Sequence, residues 1–119
     1  MFMIDVKVKE FGCMLGQNDQ YKALKRANDG LGADPDAVTM LRRMEELRND
    51  AQRLIEGGQE PTPEMEQEMD DLLGRVQVST AYQQAVAAQE NFDKMMMQVN
   101  AWIADGIKAG AASPIITLS

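Results

Sequence analysis

The sequence predicts an all-α protein, an elongated bundle of four to five antiparallel helices ending in a long, coiled-coil-like helix. Three observations predict it. Helix-forming residues dominate while aromatic residues make up only 5% of the chain. Apolar residues recur three or four positions apart through most of it, the period of a helix with one buried face. Cap residues followed by proline, and glycines at segment ends, then divide the chain into helical lengths.

The first segment is ambiguous, because Ile4-Asp5-Val6-Lys7-Val8-Lys9 alternates with a period of two. A strand here would have no partner strand, so the spacing of Ile4, Val8, Phe11 and Leu15 is read as a helix from about Asp5. Gly16-Gln17-Asn18-Asp19 interrupts it, and Asn18 is placed to cap a second helix carrying Tyr21, Leu24, Ala27 and Leu31. Gly30-Leu31-Gly32 closes that helix. Asp34-Pro35 opens the next with a capping carboxylate and a proline at the first helical position.

From Asp36 to Glu56 a broad apolar stripe includes Met40, Leu41, Met44, Leu47 and Leu54, and Gly57-Gly58 stops it. Thr62-Pro63 repeats the cap-and-proline device before a shorter helix through Met65, Met69, Leu72, Leu73 and Val76. Ser79 caps the last helix, where Tyr82, Ala85, Gln89, Phe92, Met96, Val99, Ile103 and Gly106 form a heptad seam. About 28 residues at 1.5 Å each make a rod of about 40 Å, more than a compact bundle of this mass requires. Residues 1–108 are therefore expected as one helical domain. Residues 109–119 are expected as a tail, carrying Ile115, Ile116 and Leu118, that is either mobile or docked on a neighbour.

The chain has 12 Lys and Arg against 19 Asp and Glu, a formal charge of −7, so phosphate backbones are repelled and direct nucleic-acid binding is not expected. It shows no leader pattern and no run of roughly 20 apolar residues, which points to the cytoplasm and away from a membrane span. Cys13 is the sole cysteine, which excludes an intrachain disulfide. Its mid-helix setting beside Gly12 and Met14 is read as that of a small buried structural thiol.

Histidine is absent, which removes the commonest general base and most zinc-site designs. Glu64, Glu66, Glu68, Asp70 and Asp71 are dense enough to suggest a metal site, but no Glu-x-x-His motif accompanies them. They are read as a solvated acidic face, with no metal or cofactor and no catalytic residue expected. The Met95-Met96-Met97 run spans about 200° of a helix, so at least one of the three faces solvent or another subunit. The residues expected at an interface are Tyr82, Phe92, Met95, Met96, Val99, Trp102 and Ile103.

The order of these pieces resembles the YlbF/YheA/YmcA family of small helical bacterial proteins, nearly to Lys108. The resemblance is carried by Asp19-Gln20-Tyr21-Lys22, Asp34-Pro35, Gly58-Gln59-Glu60-Pro61 and the apolar register of Tyr82 through Ile107. It implies a cytoplasmic, self-associating regulatory subunit. Relatives of this kind join complexes that influence competence, sporulation and biofilm formation and steer RNA turnover through ribonuclease Y. Some of those complexes carry iron–sulfur clusters. Cys13 is the only thiol here, so the chain resembles the cluster-free YheA-like branch.

The expected function is a non-catalytic, homo-oligomeric adaptor (a dimer or larger), with protein partners in a regulatory complex. The alternative is a holdase-like protein that binds apolar segments through a Met-rich helical surface. An enzyme using carboxylates and a divalent metal is the least supported reading.

Overall fold

The computed structural model describes residues 2–112 and contains five helices in that span: α1 (Phe2–Gln17), α2 (Asp19–Gly32), α3 (Pro35–Glu56), α4 (Pro63–Gln77) and α5 (Thr80–Ala112). The predicted all-α, elongated architecture is observed, and residues 4–9 are helical. The molecule measures 64 × 37 × 21 Å, with a radius of gyration of 21.3 Å. A compact chain of this length would have a radius of about 13–14 Å. Among the described residues no helix is long and apolar enough to cross a membrane.

Local chemistry sets the helix boundaries. Asn18 takes an extended backbone conformation, and its side-chain oxygen accepts a 2.7 Å hydrogen bond from the Gln20 amide, ending α1 and starting α2. Asp34 and Thr62 accept from the Ala37 and Met65 amides, each just before a proline that opens its helix. Ser79 does the same for α5 through the Tyr82 amide.

The end of α3 is a Schellman turn. The Gly58 amide donates to Ile55 O at 3.0 Å and the Gln59 amide to Leu54 O at 2.8 Å. This closure requires Gly58 to adopt φ +79°, a conformation that a Cβ disfavours. Gly57, at φ −83°, needs no such freedom.

Helices pack in two groups. α3 and α4 form an antiparallel hairpin around Met40, Met44, Leu47, Leu72 and Val76, flanked by Leu41, Met65, Met69 and Tyr82. α2 packs most extensively on α5, where Leu24 is buried on one side and Ala85, Ala88 and Val99 on the other. Tyr21 meets Phe92 edge-on at 5.9 Å and 62°. The start of α2 thus lies beside the middle of α5. Burial on α5 extends back to Ala85 whereas residues 100–109 are exposed, so the two helices run antiparallel.

Two sequence expectations need correction. The seam of α5 passes through buried Ala88, while Gln89 is exposed and donates to Asp93. The helix also continues through residues 109–112, into the span expected as a tail. Ala109, Gly110, Ala111 and Ala112 have too little apolar bulk to show a periodic pattern, but alanine propagates a helix well. Ile115, Ile116 and Leu118 lie outside the described residues.

The Schellman turn gives a direct test. Gly58→Ala is expected to destabilise the protein by about 1 kcal/mol. Gly57→Ala should be close to neutral, because a Cβ there meets only the Arg53 and Leu54 carbonyl oxygens at ordinary contact distances of 3.5 and 3.6 Å. Urea denaturation of the two variants checks the difference.

Candidate interaction surfaces

α1 is amphipathic in sequence, but among the described residues nothing packs along its apolar face. At about 100° per residue, Met3, Ile4, Val8, Phe11, Met14 and Leu15 fall within an arc of about 140°. Every residue from Met3 to Met14 is nevertheless exposed, and only Leu15, next to the Asn18 break, is half-buried. The helix that α1 mainly meets is α2, its neighbour in sequence.

A second unpartnered stretch continues the seam of α5. Up to Val99, which is 4% exposed, the seam is covered by the chain itself. Trp102, Ile103 and Ile107 extend the same face and are 62%, 50% and 67% exposed. The cover stops because α2 begins at Asp19 and the chain preceding it does not continue along α5.

The expected interface residues are therefore divided between two roles. Tyr82 packs against the α3–α4 cluster, and Phe92 packs against Tyr21. Met95 and Met96 are half-buried and Val99 is buried, all within one chain. Trp102 and Ile103 remain open, as does Met97, the outward-facing member of the methionine run. Periodicity located the seam on α5 but could not show where its internal partner ends. The exposed stripe of α1 was assigned to no interface, although its spacing of four, three and four was visible.

A third feature lies at the loop end of the α3–α4 hairpin, beside the 57–62 connection. Leu47 and Ala51 of α3, Pro61, and Met65 and Met69 of α4 line an apolar cleft of about 390 Å³, with Arg48 on one edge and Glu66 and Asp70 on the other. Sequence reasoning placed Leu47, Met65 and Met69 on apolar stripes but did not bring them together.

The hairpin is held by a charge-assisted contact the sequence reading did not anticipate. Arg43 donates to both carboxylate oxygens of Glu68, from Nε at 2.6 Å and from a terminal nitrogen at 2.9 Å, and also to Glu46 at 3.1 Å. These bonds raise the Arg43 pKa further, and the Arg43 guanidinium lowers that of Glu68 below the ordinary carboxylate value. The pair is over 40% exposed, so it fixes the relative register of the hairpin more than it adds stability.

Among the described residues, no three His, Cys, Asp or Glu side chains are grouped so as to hold a metal ion. Glu64, Glu66, Asp70 and Asp71 are exposed, the solvated face expected of them, while Glu68 is drawn into the Arg43 contact. Cys13, expected to be buried, is exposed. The reason is that its whole helix lacks a packing partner, so no position from Met3 to Met14 is covered.

The sequence model of the family described as "Control of competence regulator ComK, YlbF/YmcA" matches residues 4–108. The chain is also similar to a UPF0342 protein of Leuconostoc mesenteroides, 23% identical over 91 residues that cover 76% of this chain and 78% of that protein. A UPF0342 protein of Limosilactobacillus reuteri is 25% identical over 99 residues, covering 83% and 80% of the two chains.

The Arg43–Glu68 contact carries a pH signature. The Glu68 pKa is lowered by folding, so its contribution to stability is present above the unfolded carboxylate value, about 4.3, and is lost as pH falls through the folded value. Comparing the chain with Glu68→Gln in thermal melts should give a constant difference from neutral pH down to about 4.3, shrinking below that. A difference that grows on acidification would contradict the sign.

Proposed function

The chain belongs to the YlbF/YmcA family, and from that premise we propose that it is a non-catalytic adaptor that works by self-association and by engaging protein partners. The family is one of regulators. The observation that most supports the adaptor mechanism is the apolar surface of α1 and of α5 beyond Val99, left without an internal partner.

The magnitudes favour association. Met3, Ile4, Val8, Phe11 and Met14 on α1, with Trp102, Ile103 and Ile107 on α5, are exposed large apolar side chains. Full burial of one such side chain contributes roughly 1.5–3 kcal/mol, and recovering about half of that for each gives about 6–12 kcal/mol per copy. A symmetric pair doubles this gain, against an association cost of about 4–15 kcal/mol. A second copy is the partner whose supply is assured, and the same stripe meets its own counterpart in a two-fold interface.

Catalysis is not part of this reading. The chain contains no histidine, and Glu68, whose pKa the Arg43 guanidinium lowers, is engaged in that ion pair. The proposed setting is the cytoplasm, where an exposed thiol such as Cys13 stays reduced. The holdase-like alternative has less support, since Met95 and Met96 are half-buried within the chain and only Met97 of that run is open.

Light scattering on the full chain at micromolar concentration is expected to give a dimer or a larger assembly. Phe11→Asp combined with Ile107→Asp should yield a monomer with an unchanged far-UV spectrum, because both side chains are exposed in the single chain. A wild-type chain that is monomeric at this concentration, or a double variant that still assembles, refutes the self-association reading.

A further inference from the structure

We propose that the cleft at the loop end of the α3–α4 hairpin is a docking site for a basic amphipathic helix of a partner protein. The proposal rests on the adaptor reading and names the chemistry of the adaptor's second partner.

The floor of the cleft is Leu47, Ala51, Met65 and Met69. Met65 and Met69 are partly buried against the hairpin core, and their thioether side chains let this half of the floor repack around side chains of different shape. The cleft encloses about 390 Å³. Its walls are two helices, which suits a third helix laid into the groove with aliphatic anchors at i, i+3, i+4 and i+7.

Charge selects the occupant. α4 contains five carboxylates and one arginine, and Glu60 precedes it. The helix dipole accounts for Glu64 and Glu66 in the first turn but not for the acids farther along. Among the described residues, only Glu68 of this group has a cation within ion-pairing distance. Glu66 and Asp70 therefore give the α4 edge of the cleft an uncompensated negative potential, which attracts lysine and arginine flanking an apolar stripe. Arg48 on the opposite edge sets the orientation, with the basic side of the incoming helix toward α4.

A second copy of this chain is a poor match. Its basic amphipathic helix is α2, with Lys22, Lys25 and Arg26, and the apolar side of α2 is already spent on α5. α1 carries Lys7 and Lys9 against Asp5 and Glu10, with Lys7 paired to Glu10. The acidic edge likewise disfavours an anionic membrane or a nucleic acid.

The test uses the full chain and a fluorescein-labelled synthetic peptide of leucine and lysine with leucines at i, i+3, i+4 and i+7. Anisotropy should report binding, and methyl resonances of Met65 and Met69 should shift while that of Met97 does not. Glu66→Lys with Asp70→Lys should weaken binding by about tenfold, and Glu90→Lys with Asp93→Lys on α5 should change it by less than about twofold. Binding should persist in the Phe11→Asp, Ile107→Asp variant, so that loss of self-association and loss of the cleft are read separately. The proposal is overturned by absence of binding, by equal loss in both charge-reversed pairs, or by shifts at Met97 alone. It is also overturned if the Met65 and Met69 methyls are covered in the assembled chain and become accessible only in the monomer, which would assign the cleft to a second copy.

Discussion

A 33-residue helix presents about 50 Å of potential contact surface, and the 14 residues of α2 lie along only about 21 Å of it. The mismatch follows from the turn at Asn18. With an extended backbone at that residue, α1 and α2 become two short helices. What would otherwise be a continuous antiparallel partner for α5 is redirected at the level of Val99. Exposed apolar faces lie on both sides of this break, on α1 and on α5 beyond Val99.

The same constraint limits how much core the chain can build. Among the described residues the buried hydrophobic side chains are divided between the α3–α4 hairpin and the α2–α5 pair, with Val76, Leu47 and Val99 the most deeply buried of the branched ones. Several of the others are alanine or methionine, which contribute little volume or hold a single packing arrangement weakly. A molecule so divided, with a radius of gyration about half again that of a compact chain, buries a modest share of its apolar surface. The proposed self-association would then contribute to folding stability as well as to function, because a partner that binds only the folded chain shifts the folding equilibrium.

The capping chemistry was legible because it is local. Asn18, Asp34, Thr62 and Ser79 each satisfy amides within three residues, and the Gly57-Gly58 stop needs only the preceding turn of helix. Coverage was not legible, because it depends on where one helix ends relative to another far away in sequence. Cys13 shows the consequence: a mid-helix position on a short apolar helix implies burial only if a partner exists. The register on α5 shows another limit. Ala88 and Gln89 both fit a three-four spacing from Ala85, and a small apolar residue gives too weak a signal to choose between them. The cleft beside Leu47 lay beyond reach for the same reason, since it needs the α3–α4 register that Arg43 and Glu68 help to set across 25 residues.

That ion pair also bears on how the charge of the molecule is arranged. Arg43 grips Glu68 through two donors, neutralising one acid of α4 at the level where the hairpin must stay closed. Among the described residues the other acids of α4, Glu66 and Asp70 at the cleft included, have no cation within ion-pairing distance. Repulsion along α4 is tolerable because these side chains are exposed and screened, at a cost of a few tenths of a kcal/mol per neighbouring pair. The apolar faces of α1 and distal α5 carry no such concentration of charge, with Lys7 and Glu10 offsetting one another and only Asp105 and Lys108 beyond Val99. The surfaces proposed for hydrophobic association and for electrostatic selection thus fall on different helices. Two copies can approach through the faces of lower charge density while their acidic α4 edges stay turned away, so the negative potential costs the assembly little and remains available to another molecule.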